Sequence, residues 1–223
     1  MKKLIISIFS LLAVNCFFVL PALSATVTLD EIIEKLQNNY RTMNDYQALF
    51  NQEAKIKGYP RKQESSGLVY YKKGGKMRWN YDQPEKQEIV TDGTTMWMYT
   101  PSLNQVMEAG FSMTNQSRVA HAFLSGMGNI RDDFNISGGE IDVTGIHYRI
   151  MLTPKDVTEK VKSLELTVDA KTFYIKRSRM TDIYDNVTVV SLSDFKVNSG
   201  ISDSLFDFVI PEGVDVVTPQ TMQ

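Results

Sequence analysis

From Tyr46 onward, apolar residues recur at every second position, in short runs cut by turn residues. A period of two puts successive side chains on opposite faces of an extended strand, which commits most of the chain to β-sheet. The runs are Tyr46–Lys57, Glu64–Lys73, Lys76–Tyr81, Gln87–Thr91, Thr94–Thr100, Gln105–Glu108, His147–Pro154, Val161–Asp169, Tyr174–Tyr184, Val187–Asn198 and Phe206–Pro211. Between them stand Gly58-Tyr59-Pro60, Gly74-Gly75, Asp82-Gln83-Pro84, Asp92-Gly93 and the stretch from Pro101 to Asn104. Connections this short join antiparallel neighbours. About eleven strands in one succession curl into a barrel or half-barrel rather than stay flat.

Two segments break the β pattern. Thr28-Leu29-Asp30-Glu31 is a capping box, and Ile32, Ile33, Leu36, Tyr40 and Met43 follow at helical spacing, so a helix is expected to about Thr42. In Phe111–Ile136, Val119, Ala120, Phe123 and Leu124 share helical spacing until Gly126 and Gly128 stop it, which reads as a helical insertion. No internal repeat or linker divides the chain. The fold class is α+β, mostly β, in one domain.

The start is of a different kind. Met1-Lys2-Lys3 is basic, Leu4 to Leu20 is apolar apart from Ser7, Ser10 and Asn15, and Pro21 and Ala22-Leu23-Ser24 follow. These are the three regions of a secretory signal peptide over residues 1–24, leaving residues 25–223 as the working domain. Without Lys2 and Lys3 the chain carries 22 basic against 26 acidic residues. That balance lacks the basic stripe of a nucleic-acid binder. The single cysteine, Cys16, falls inside the leader, and Asn15 before it is unsuited to a lipidation site. The domain is then expected to have no disulfide, no thiolate nucleophile and no cysteine metal site.

Catalytic motifs are missing: no H-E-x-x-H, G-x-S-x-G, G-x-x-x-x-G-K-[ST] or G-x-G-x-x-G occurs. His121 and His147 read as structural or surface residues, and Asp132-Asp133 and Glu31/Glu34 as solvated helix faces. Asn115-Gln116-Ser117 and Asn186-Val187-Thr188 match glycosylation acceptors and mean no more than exposed loop. The apolar residues say more. Alternation gathers Met77, Trp79 and Tyr81 on one face, with Val69, Tyr71 and Lys73 in the strand before, and Tyr46, Ala48 and Phe50 before that. Methionines Met77, Met96, Met98, Met107 and Met113 crowd the same half. A plain core explains the pattern, and methionine and aromatic surfaces also build adaptable lipid or peptide sites. Pattern alone favours the core.

Gly67-Leu68-Val69-Tyr70-Tyr71-Lys72-Lys73-Gly74-Gly75-Lys76-Met77-Arg78-Trp79-Asn80-Tyr81, then Pro84, Ile89-Val90-Thr91-Asp92-Gly93 and Trp97-Met98-Tyr99, resembles the outer-membrane lipoprotein carrier family LolA. The ending Phe206-Asp207-Phe208-Val209-Ile210-Pro211-Glu212-Gly213-Val214-Asp215-Val216 is similar to that family's last strand. The resemblance implies an incomplete, half-open antiparallel β-barrel of eleven strands closed by an α-helical lid, a periplasmic location and no enzymatic activity. It implies an acyl-chain cavity of Tyr46, Phe50, Val69, Tyr71, Met77, Trp79 and Ile89, and a lid of Leu36, Tyr40, Met43, Phe123 and Leu124. The family's usual Arg-Pro after the second strand, where the arginine bonds the lid shut, is Lys73-Gly74 here. Lysine keeps the charge and loses the planar fork, so a Lys73 latch is expected to be looser.

On that resemblance the chain is a monomeric periplasmic chaperone that needs no cofactor. Its partners are acylated lipoproteins, an inner-membrane ABC releasing complex that loads it and an outer-membrane receptor that unloads it. The physics fits: at about 0.8 kcal/mol per CH₂, exposing a chain of about sixteen carbons costs roughly 12 kcal/mol, while moving it between apolar sites is nearly neutral. Two alternatives remain open. One is a sensor or receptor of the same fold, although Ala25 is not the lipidated cysteine that such a receptor would carry. The other is a secreted hydrolase with an unrecognised site.

Overall fold

The computed structural model describes residues 27–110, 130–142, 144–156 and 160–218. The expected leader, the Phe123 and Leu124 lid positions, His121 and the Asn115 sequon lie outside the described residues.

Helix α1 spans Leu29–Thr42. Thr28 and Glu31 form the expected reciprocal cap, with Thr28 N donating to Glu31 Oε2 at 2.8 Å and Glu31 N to Thr28 Oγ1 at 3.3 Å. The strands are β1 (Asp45–Lys55), β2 (Gln63–Lys72), β3 (Lys76–Gln83), β4 (Gln87–Asp92), β5 (Thr95–Thr100) and β6 (Gln105–Gly110). After the short helix α2 (Ile130–Asp133) come β7 (Phe134–Ile141), β8 (His147–Pro154), β9 (Val161–Asp169), β10 (Ile175–Asp182), β11 (Val187–Val197) and β12 (Asp215–Val217). They form one sheet in the order β12-β6-β5-β4-β3-β2-β1-β11-β10-β9-β8-β7. Two antiparallel meanders, β1–β6 and β7–β11, are joined where β1 pairs with β11. The sheet does not close on itself: β7 and β12 are its two edges.

Two expectations need correction. Phe134 and Ile136, assigned to the helical insertion, begin strand β7. Gly138 and Gly139, both at positive φ, break its alternation at a bulge, and so hid the strand. Phe206–Pro211 is not a strand. It belongs to an irregular segment that lies along the outer face and ends in β12, which runs parallel to β6. Phe206 is wholly buried, Phe208 lies against Trp97 and Tyr99 at ring separations of 6.0 and 6.2 Å, and Arg78 donates to the Leu205 carbonyl at 3.1 Å. The alternating aromatics thus serve docking rather than pairing.

The inner face carries two cores. Ile32, Ile33 and Leu36 of α1 lie with Ile130, Phe134, Ile150, Leu152, Leu164 and Leu166, over the β7–β10 half. Met43 lies with Tyr46, Ala48, Phe50, Val69, Tyr71 and Met77, over the β1–β3 part of the other half. Tyr40 touches both.

Candidate functional site

Strand register decides which side chains can meet. Tyr46 pairs with Tyr71 and Ala48 with Val69 between β1 and β2. Val69 and Tyr71 pair with Trp79 and Met77 of β3, and Trp79 pairs with Ile89 of β4. All seven residues expected to line the cavity therefore share the inner face of one half-sheet.

The rings pack closely at its centre. Tyr46 stacks on Tyr71 at 5.3 Å, and Phe50 receives Trp79 at 4.7 Å and Tyr81 at 4.8 Å edge-on. Such pairs add about 0.5–1.5 kcal/mol beyond the area they bury. Gly67, directly opposite Phe50, makes the arrangement possible: a Cβ there would fall 1.9 Å from the Asn80 carbonyl oxygen and 3.1 Å from the Phe50 ring.

Burial then divides the set. Tyr46, Phe50, Val69, Tyr71 and Met77 are buried, whereas Trp79, Tyr81, Ile89, Met96, Met98 and Met107 are half-buried on a continuous apolar strip towards β6. Met98 pairs with Ile89 on one side and Met107 on the other, which extends the strip over β4–β6. Sequence reasoning noticed these methionines and left Met96, Met98 and Met107 out of the cavity. Trp97 and Tyr99, apolar on the opposite face, erase the alternation that would place Met96 and Met98, and buried Val106 does the same beside Met107. Leu192 and Phe195 of β11 also join the aromatic cluster. A bulge in the β1–β11 register, with Asp194 at φ 52°, puts these residues three apart on one side, which a strict period of two forbids.

The site is electrically quiet. Burial, with smaller contributions from neighbouring tyrosines, raises the Tyr46 hydroxyl far above its ordinary pKa. Burial also raises Tyr40, against a donation from Ile175 N at 3.3 Å that opposes it. Tyr71 and Tyr81 are raised by burial as well, and Tyr81 donates to Gln52 Oε1 at 3.2 Å. These hydroxyls stay protonated at physiological pH. The arrangement offers apolar area and neutral donors, the chemistry of sequestration.

The expected lid residues separate. Leu36 belongs to the aliphatic core, Tyr40 bridges the two cores, and Met43 sits in the aromatic one. Lys73 is exposed in the β2–β3 turn. Its amide donates to the Asn44 carbonyl at 2.8 Å and its ammonium to the Arg41 carbonyl, in the last turn of α1, at 3.3 Å. A cation at a helix C-terminus is worth about 0.3–1 kcal/mol when exposed.

Other candidates are local braces. His147 Nδ1 lies 3.0 Å from Asp142 Oδ2. Thr144, His147 and nearby amides hold the Asp142 carboxyl far below the usual range. Asp132 and Asp133 are exposed, and Asn186 donates to Asp182 and accepts from Lys57 N, within turns.

A model of the family described as outer membrane lipoprotein carrier protein LolA matches residues 41–209. An outer-membrane lipoprotein carrier protein of Nitrosomonas europaea is 34% identical over 172 residues, covering 77% of this chain and 82% of its own. Another of Coxiella burnetii is 29% identical over 211 residues, covering 93% and 95%. A solved structure of an uncharacterized conserved protein from Thermus thermophilus is similar in fold, with a TM-score of 0.55 at 15% identity, covering 85% of this chain and 98% of that one.

Proposed function

This chain belongs to the LolA family of outer membrane lipoprotein carrier proteins, and from that premise we propose that it shelters the acyl chains of lipoproteins on the inner face of β1–β6 and ferries them across the periplasm. One observation carries the reading: the aromatic and methionine strip from Trp79 to Met107 is only half-buried, next to a half-face sealed to within a few per cent. A surface with that composition at a fold's interior side has room for a further apolar partner.

Acyl chains enter along Trp79, Ile89, Met98 and Met107 and rest against Phe50 and Tyr71. Helix α1 does not swing as a rigid arm. Ile32, Ile33 and Leu36 are 0–1% exposed, and withdrawing them costs roughly 5–9 kcal/mol, an upper figure. Movement of α1 is confined to its C-terminal end, at Tyr40 and the capping residue Met43, and Phe123 and Leu124 complete the proposed lid. Lys73 at the Arg41 carbonyl is the latch. An ATP-driven complex in the inner membrane loads the carrier once residues 1–24 have been removed. A receptor at the outer membrane with higher affinity for the chains unloads it. No catalytic step is required.

The experiment is purification from periplasm followed by mass spectrometry for acylated peptides, with the protein and Trp79→Glu side by side. Acylated peptides should accompany the first and be depleted at least about tenfold from the second, since an unpaired charge is costly on an apolar surface. Equal recovery would sink the assignment of this face.

A further inference from the structure

Four exposed large apolar side chains stand at the tips of two neighbouring turns. Ile56 and Tyr59 lie between β1 and β2, Ile183 and Tyr184 between β10 and β11, and the two tyrosines are 67% and 66% exposed. The turns are fastened together. Lys57 N donates to Asn186 Oδ1 at 3.0 Å, and Lys57 and Lys162 both reach the Asp185 carboxylate at 2.8 Å. Ile183 N donates to the Lys160 carbonyl at 3.1 Å. Asp182 fixes the second turn by accepting from Tyr184 N and Asn186 N at 2.9 and 2.8 Å. Polar chemistry therefore makes the turns, and their apolar tips contribute nothing to it. The tips end β1 and begin β2 and β11, at the rim opposite Lys73 and the C-terminus of α1.

Charge supplies the second observation. Lys57 and Lys162 are taken by Asp185, and Lys62 by Glu53 and Glu64 at 3.1 and 2.8 Å. Lys55, Arg61 and Lys160 make no ion pair among the described residues, which leaves cations beside the tips of a chain whose net charge is −2. Tyrosines settle at the level of lipid headgroups, isoleucines just below them, and lysine or arginine beside anionic phosphates. Protruding tips suit such a yielding surface better than a folded partner, whose anchor residues fill pockets.

We infer that this rim seats the protein on an anionic phospholipid surface through the β1–β2 and β10–β11 turns. The contact does not depend on what the inner face holds. It is weak and reversible, as four shallow side chains and three cations without an ion pair among the described residues require.

Flotation of the purified protein with vesicles tests it. Vesicles of phosphatidylethanolamine containing phosphatidylglycerol should carry the protein at low ionic strength, phosphatidylcholine vesicles should carry much less, and binding should fall as salt shortens the screening length to about 8 Å. Tyr59→Ser combined with Tyr184→Ser should weaken binding about tenfold. Arg61→Gln and Lys160→Gln should each weaken it about fivefold. All four positions are exposed, so melting profiles should match the parent's. Every variant keeps the same N-terminus, so a retained leader would float all of them alike. Trp79→Glu, which tests the acyl site, should float like the parent, so the two readings fail separately. No flotation of the parent, equal flotation of the tip variants, or tip variants that lose a protein receptor while still binding vesicles would overturn the inference.

Discussion

The β7–β10 half of the inner face and the β1–β6 half share one sheet and one helix, and they are finished in different materials. Ile150, Leu152, Leu166 and Val168 are 0% exposed beneath Ile32, Ile33 and Leu36. Branched aliphatic side chains have few shapes, and here they meet a partner that fits them. Across the β1–β11 junction the residues become tyrosine, phenylalanine, tryptophan and methionine, and along the strip from Trp79 to Met107 burial becomes partial. Rigid rings give a fixed floor, and flexible thioethers give a wall that adapts to what lies on it. Complete burial prevails in one half, while the strip from Trp79 to Met107 in the other stays half-buried.

The largest effect that tests this division is on stability. Leu166→Ala should destabilise by about 2–5 kcal/mol, through lost burial and the cavity left behind. Met98→Ala, on the half-buried strip, should cost about 1 kcal/mol or less. Denaturant midpoints at unchanged slope measure both. Equal losses would mean that the strip is ordinary core.

A second test sets function against stability. Ile89→Ser should lower affinity for a dipalmitoylated peptide about tenfold, a 1.4 kcal/mol effect, by removing apolar area from the strip. Leu152→Val should change that affinity by less than about twofold while costing about 1 kcal/mol of stability. Titration with a fluorescent acyl peptide reads the first and thermal melting the second. Parallel losses in both assays would erase the distinction.

The halves should also part at alkaline pH. Tyr40, Tyr46, Tyr71 and Tyr81 have hydroxyls raised above the ordinary value of 10. Their contribution is complete below pH 10 and is lost as pH rises above it, because the unfolded chain releases those protons more readily. Stability should therefore fall beyond about pH 10, and Tyr46→Phe should flatten the fall. Urea melts from pH 8 to about 12 decide it. A slope unaltered by Tyr46→Phe would exclude Tyr46 as its source.

The smallest effect belongs to Lys73. Lys73→Met should loosen the last turn of α1 by about 0.3–1 kcal/mol, with Lys73→Arg equal to the parent or tighter. Amide exchange at Asn39 to Met43 is the measurement. Unchanged exchange in Lys73→Met would leave Tyr40 and Met43 holding that turn alone.

Much of the sheet was legible because its strands obey one rule: apolar at alternate positions, turn residues between. The central strands β1–β3 could be placed to within a few residues, and with Ile89 of β4 their register puts the seven expected side chains on one face. The rule failed where both faces are apolar. Met96-Trp97-Met98-Tyr99 is apolar throughout because the segment around Phe208 covers its outer side, so neither face stands out. Phe206–Pro211 alternated for a reason unrelated to pairing. Leu36 and Met43 look equivalent on a helical wheel, yet they end in different cores, because sequence spacing cannot tell which strand lies beneath each turn.

The β1–β11 junction has a consequence for the order in which the molecule comes together. Asp45 accepts hydrogen bonds from Ser199 N and Gly200 N, 154 and 155 positions further along the chain. The meander β1–β6 can pair from its own local turns, but Leu192 and Phe195 reach its rings only after nearly the whole chain is available. Until then Tyr46 and Phe50 lie uncovered on a growing polypeptide, at the stage when sticky surface invites aggregation. The ring-lined floor thus waits on β11, late in the chain, and a newly made chain most needs shelter at the very face proposed to give it.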